Sequence, residues 1–444
     1  MIDTSAFQGK RATYYTLGCK LNFSETSTFG EMLRQLGVTT AEKGQAADLV
    51  LINTCTVTEV ASQKCRQIIH RLIRNNPGAF VVVTGCYAQL DPDAVAGIDG
   101  VSLILGSNEK ARLVQFLSEA WAERAAGCTT RVERRTKDIT AFAPSCSRGS
   151  RTRYFLKVQD GCDYFCTYCA IPYARGFSRN APISSLVKQA RQAVADGGKE
   201  IVLTGVNIGD FGKTTGETFF SLVQALDSDV PDICRYRISS IEPDLLTDEL
   251  IDYCAHSPHF MPHFHIPLQS GSDEVLRLMH RHYTRQLFAD KVLRIRRQMP
   301  DAFIGVDVMV GCRGEEPEMF EQTFDLLSEL PVSQLHVFPY SERPGTAALR
   351  IPYTVSEHDK RLRSQRLLTL SDDKLHSFYQ QHQGQMGEVL FEKAARGRAM
   401  HGFTRNYVRV ELPAAKACPE LDNQLRRVRL GGFNHDGTAL MAEI

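Results

Sequence analysis

No stretch of this chain approaches the roughly eighteen consecutive apolar residues that a membrane-spanning helix needs, so no span is expected. The opening residues, MIDTSAFQGKRATYYTLGCK, carry no apolar run after their charges, and no secretory leader is expected there. A charge surplus is missing as well. Lys and Arg number 52 against 51 Asp and Glu, a formal net charge of +1, so any nucleic-acid partner must be argued from local clusters. With 43% hydrophobic and 23% charged residues, the composition is neither disordered nor fibrous. A length of 444 residues allows about two to four domains. Cysteine is not scarce. Thirteen of them, in a chain expected to be reduced and cytoplasmic, point to metal or redox chemistry rather than a disulfide framework.

The densest cysteine motif lacks a fourth ligand. GCDYFCTYCAIPYARG, residues 161–176, holds Cys162, Cys166 and Cys169 in a C-x3-C-x2-C spacing. Zinc sites that only support a fold are closed by four protein ligands. Three ligands on one loop suggest a centre with an open position, as in an iron–sulfur cube whose fourth iron binds a small molecule. Three unrelated structural cysteines are the alternative.

Along the chain, YYTL (14–17), DLVLIN (48–53), FVVVTG (80–85) and VSLILG (101–106) read as strands, and residues 22–36, 58–75, 91–97 and 108–126 have helical spacing. This alternation predicts a parallel α/β sheet over residues 1–127. Cys19, Cys55 and Cys86 each follow one of its first three strands, at the carboxyl ends where such sheets gather ligands. They form a second three-ligand set. Residues 128–152 read as a basic linker or strap that either faces phosphate or is simply solvated. Over 153–380, strands are expected at 154–158, 200–205, 235–240, 263–268, 303–311 and 334–340 with helices between them. Six βα units make a partial parallel barrel, and catalytic groups belong at its strand carboxyl ends. A long charged helix over 355–380 leads to a tail, 381–444, that reads as a small all-β barrel. Phe403, Arg405, Tyr407 and Arg409 could stack on and clamp RNA there, or could be routine barrel positions.

The C-x3-C-x2-C motif with Tyr168 before its last cysteine resembles the radical S-adenosylmethionine (SAM) enzymes. Three scattered upstream cysteines, the CAIPYARG continuation and the terminal barrel narrow the resemblance to the methylthiotransferases, across an N-terminal methylthiotransferase domain, a (β/α)6 radical SAM core and a TRAM domain. TLGCKLNFSETS around Cys19 resembles the branch acting on N6-threonylcarbamoyladenosine at position 37 of tRNA. The isopentenyladenosine branch and the branch modifying a ribosomal-protein aspartate are the alternatives. Two stretches depart from the family pattern: ARGFSRN, and Cys312-Arg313 before Gly314-Glu315.

The resemblance implies two [4Fe-4S] clusters, one on Cys162, Cys166 and Cys169 to cleave SAM, the other on Cys19, Cys55 and Cys86 to carry the transferred sulfur. It implies an electron donor such as a flavodoxin or ferredoxin and gives no source for the sulfur. Tyr168, Thr204, Gly205, Ser240, Glu242, Gln269 and Arg281 are the expected SAM-pocket residues, and Arg175, Arg179 and Arg281 are candidates to fork onto phosphate or carboxylate. A non-catalytic RNA-binding protein whose cysteines hold zinc is the remoter rival.

Overall fold

The computed structural model describes residues 5–42, 44–56, 59–123, 129–133, 136–147 and 152–443. Its first sheet has six parallel strands, β1 (Arg11–Thr16), β2 (Thr39–Thr40), β3 (Leu49–Thr54), β4 (Phe80–Gly85), β5 (Leu103–Leu105) and β6 (Thr130–Val132), in the order β2-β1-β3-β4-β5-β6. Strands β3 and β4 are buried at every position, as parallel strands covered on both faces require. Their side chains alternate between two cores. Val50, Ile52, Val81 and Val83 pack with Cys65, Ile69 and Leu72 of helix Glu59–Asn75. Leu49, Leu51, Phe80 and Val82 pack with Phe29, Leu33, Leu113 and Leu117 on the other face.

Strand β6 corrects the linker reading, because it lies inside residues 128–152 and pairs with β5. The same stretch also supplies a strap. Ser147 N–H donates to Phe155 O at 3.0 Å, Lys157 N–H donates to Ser145 O at 2.9 Å, and Cys146 forms an antiparallel bridge with Leu156. A free strand edge is thereby covered by backbone pairing that hydrophobic periodicity does not reveal. Of its basic residues, Arg131 is paired with Asp93 and Glu133, while Arg134, Arg135, Arg148 and Arg151 lie outside the described residues.

The edge so covered is β7 (Arg153–Lys157). After it come a short antiparallel ribbon, β8 (Gln159–Asp160) with β9 (Arg179–Asn180), and then β10 (Glu200–Thr204), β11 (Arg235–Ile238), β12 (His263–Gln269), β13 (Phe303–Val310) and β14 (Gln334–Pro339). Two parallel triplets, β11-β10-β7 and β12-β13-β14, are joined by the parallel bridges Tyr236–Phe260 and Ser240–His265 into the expected six-strand open barrel.

Helix Glu357–Gln380, capped by the Ser356 hydroxyl on Asp359 N–H, leads to a closed barrel of β15 (Met386–Phe391), β16 (Met400–Thr404), β17 (Arg409–Leu412), β18 (Leu425–Phe433) and β19 (Leu440–Glu443). It plugs the amino-terminal end of the large barrel, opposite the cysteine loop. Arg235 donates to Phe403 O at 3.0 Å, Arg237 to Thr404 O at 2.8 Å, and Arg153 to the Tyr407 hydroxyl at 3.0 Å. The Phe403 and Tyr407 rings stack on each other at 4.6 Å with Arg153 over Phe403, and Arg405 donates to Pro258 O. These rings are engaged in a domain contact. Arg426, Arg427 and Arg429 on β18 are among the exposed cations of this barrel, with Lys393, Arg396, Arg398, Arg405 and Lys416.

Candidate functional site

Strand β7 delivers the cysteine loop to the carboxyl-end mouth of the large barrel. The loop is held by backbone: Cys162 N–H to Gly176 O and Cys169 N–H to Cys166 O, both 3.0 Å, and Thr167 N–H to Met279 O at 3.1 Å. Cys166 is buried, while Cys162 and Cys169 are half-exposed. Burial pushes the Cys162 and Cys169 thiols up to about 12 and raises that of Cys166 as well. Metal binding at this loop must therefore displace thiol protons. Arg281 donates to Cys166 Sγ at 3.2 Å, to the Tyr283 hydroxyl, and to Glu242, which it joins in an ion pair. Burial raises the Glu242 carboxyl to about 7, against the opposing pull of Arg281.

The remaining expected pocket residues stand where strand ends place them. Tyr168 packs against the cluster of Val275, Met279, Cys312, Tyr340 and Ala348. Thr204 ends β10 with its carbonyl accepting from Val158 N–H, and Gly205 lies under Gln159, whose Oε1 accepts from Val206 and Asn207 N–H. Ser240 bridges to His265. Gln269 closes β12 with φ +63°, a left-handed conformation unusual for a residue other than glycine, and its buried Oε1 has no partner. Two residues had no motif to mark them. Asn207 after β10 is buried with both amide atoms unpartnered, and Asp244 after β11 has an unpartnered Oδ1. Buried polar atoms are almost always satisfied, so unmet ones ringing a mouth mark a place for a polar ligand.

Across from this mouth stands the upstream set. Register pairs Thr16 with Asn53 and Thr54 with Gly85, so the ends of β1, β3 and β4 lie side by side and Cys19, Cys55 and Cys86 come off adjacent strands. Two glycines permit the crowding. A Cβ on Gly18 (φ +97°) would fall 2.7 Å from Cys55 Sγ, and one on Gly85 (φ +100°) 2.3 Å from Thr54 O. Asn22, fully buried, ties the turns together by donating to Leu17 O at 2.8 Å and Thr54 O at 3.0 Å. Cys65 is nearer this set than its position on the following helix suggests, because its thiol donates to Cys55 O at 3.1 Å.

Arg175 and Arg179, expected to meet phosphate or carboxylate, meet carboxylates. Both are buried, and their donors are taken. Arg175 donates to Asn22, Glu25 and Asp160; Arg179 donates to Asp160 and to the carbonyls of Ala141, Arg175 and Phe177. Arg175 and Lys157, which reach Glu25 beside Lys110, weld the first domain to the second, and Arg179 braces them through Asp160. Burial alone would raise the Glu25 carboxyl, but Arg175, Lys110 and Lys157 hold it well below the usual range. The two cysteine sets thus occupy facing surfaces of one charged interface. Among the described residues no three His, Cys, Asp or Glu side chains converge on a single metal ion. A cube differs in that each thiolate takes its own iron.

Two profiles match the chain: "Uncharacterized protein family UPF0004" over residues 11–106 and "Radical SAM superfamily" over residues 156–327. The threonylcarbamoyladenosine tRNA methylthiotransferase MtaB of Bacillus subtilis is 38% identical over 407 residues, covering 89% of each chain. This chain belongs to the radical SAM methylthiotransferase family. The Aquifex aeolicus MtaB is 34% identical over 93% of this chain and 98% of its own. The tRNA-2-methylthio-N(6)-dimethylallyladenosine synthase of Staphylococcus haemolyticus is 32% identical over 87% and 77%. Among solved structures, the radical SAM methyltransferase TsrM from Kitasatospora setae superposes with a TM-score of 0.54 at 16% identity, over 76% of this chain and 77% of that one, a likeness of fold alone.

As a radical SAM methylthiotransferase the chain is a transferase that uses SAM and a [4Fe-4S] cluster. Its residues fit that demand, with a three-thiol loop and unpartnered amides beside it. A cavity of about 1160 Å³ lies elsewhere on the first domain, beside Tyr14, Gly30 and Thr40, and none of the described residues lining it is a cysteine. No helix among the described residues is long and apolar enough to cross a membrane.

Proposed function

We propose that this methylthiotransferase replaces the C2 hydrogen of N6-threonylcarbamoyladenosine at position 37 of tRNA with a methylthio group, using two [4Fe-4S] clusters. One observation carries the substrate. Relatives named for threonylcarbamoyladenosine are 33–38% identical, against 31–32% for those named for dimethylallyladenosine. Cys162, Cys166 and Cys169 would hold one cluster and Cys19, Cys55 and Cys86 the other; bound there, the pair supplies SAM cleavage and the sulfur to be transferred. Arg281, donating to Cys166 Sγ, favours the thiolate that a metal needs. The amides of Asn207 and Gln269 offer donors and acceptors to the polar ends of SAM. Around the mouth Phe165, Tyr173 and Phe177 are exposed, with Phe165 touching both of the others, a stacking platform for unpaired bases. The electron would come from a flavodoxin or ferredoxin, and the enzyme would work in the cytoplasm, where its tRNA is.

Deleting the protein should remove the methylthio group from threonylcarbamoyladenosine and leave isopentenyl-type nucleosides unchanged, read by mass spectrometry of tRNA digests. Loss from the isopentenyl type would keep the reaction and overturn the substrate. Anaerobic reconstitution should load about eight irons, and about four after joint replacement of Cys162, Cys166 and Cys169. A wild-type value of four or fewer would sink the two-cluster reading.

A further inference from the structure

Beyond β14 the chain turns through residues 341–351, a loop tied to both cysteine sets. Ala348 N–H donates to the carbonyl of Thr167, between Cys166 and Cys169, at 2.9 Å. Arg343 Nη2 donates at 2.6 Å to the hydroxyl of Thr56, the residue after Cys55. Arg313, one of the two residues that depart from the family pattern before Gly314, holds this loop through Glu342 at 2.7 Å and the carbonyls of Leu349 and Ile351 at 3.1 and 2.9 Å. The loop is therefore fixed, and Arg343 stands between the two sets.

Arg343 is only 8% exposed, and its Nη1 is shut off from solvent with no acceptor among the described residues. Arg175, Arg281 and Arg313 each meet a glutamate, whereas no carboxylate among the described residues pairs with Arg343. A guanidinium stays charged at any physiological pH, and a buried charge without a counter-charge is costly. The edge formed by the unpartnered Nη1 and the remaining Nη2 hydrogen matches a planar, bidentate oxyanion. We infer that Arg343 anchors an oxyanion of the substrate nucleotide, an assignment that rests on the tRNA reading above. Two groups of that nucleotide carry the chemistry: the carboxylate of the threonylcarbamoyl arm and a backbone phosphate.

The test compares a tRNA bearing threonylcarbamoyladenosine at position 37 with the same transcript bearing adenosine. Binding to the reconstituted wild type, Arg343→Gln and Arg343→Lys is followed by fluorescence anisotropy over a salt series. If the carboxylate is held, the wild type prefers the modified tRNA by about tenfold and Arg343→Gln erases that preference, leaving the plain transcript unaffected. If a phosphate is held, Arg343→Gln weakens both tRNAs alike and flattens the salt slope by about 0.7. In either case Arg343→Lys, which keeps the charge and loses the fork, falls between the other two and serves should the glutamine variant not fold. Unchanged affinities and salt slope in both variants would overturn the assignment. Product formation by the wild type is scored separately. Tight binding without methylthio transfer would count against the proposed reaction while the Arg343 comparison is still decided by affinity.

Discussion

Cys55→Ala is expected to reduce methylthio transfer to background while 5′-deoxyadenosine still forms when strong reductant is supplied. Cys162→Ala, Cys166→Ala or Cys169→Ala is expected to stop both. The separation follows from placement: Cys55 leaves β3 of the first domain, whereas the other three lie on one loop after β7. Chromatography of both products in one reaction distinguishes the two patterns. Cys65 is a poor control because its thiol touches the Cys55 carbonyl. Cys234, just before β11 and so at the opposite end of the barrel, is a better one, and Cys234→Ala should retain both activities. Methylthio product at near wild-type yield from Cys55→Ala would return the upstream cysteines to a structural role.

Glu25→Gln is expected to cost about 3–5 kcal/mol of stability, since removing one partner from a buried ion-pair group strands the others. Glu25 and Asp160 are the two carboxylates facing Lys110, Lys157, Arg175 and Arg179. Loss of either acid leaves the interface with three more cations than acids. The change should appear as a lower first thermal midpoint and faster proteolysis. Arg34→Gln, which breaks an exposed pair with Glu31, should leave the midpoint unchanged. The pH dependence has a definite sign. Both carboxyls are held well below their usual range when folded. Their stabilisation is thus complete above the unfolded pKa of about 4 and is lost as pH falls from there toward the folded values.

The residues legible in the sequence were those whose pattern is local. Apolar runs marked the six barrel strands and four of the six strands of the first sheet, and the three upstream cysteines follow the ends of three of those. Strand β6 and the strap over 144–147 were not legible, because edge pairing uses backbone groups that any side chain leaves available. Arg175 reads as a surface cation until Glu25, 150 residues earlier, is seen against it. Phe403 and Tyr407 read equally as an RNA clamp or as routine barrel positions by composition, and the contact they make with Arg153 of the second domain is visible only in the fold. Arg343 had no signal at all, since an unpaired buried guanidinium is defined by what does not surround it.

The same 150-residue separation has a consequence during synthesis. Glu25 leaves the ribosome roughly 8–30 s before Arg175 at rates of about 5–20 residues per second. The strands that carry Cys19, Cys55 and Cys86 are complete by Gly85, well before the opposing face has been translated. For that interval Cys55 and Cys86, buried in the finished protein, belong to a first domain whose strand-end edge has no second domain against it. Under the two-cluster proposal, the upstream set would be available for loading before the loop after β7 has been made. Arg175 follows that loop in the chain and would close the interface only after both sets exist.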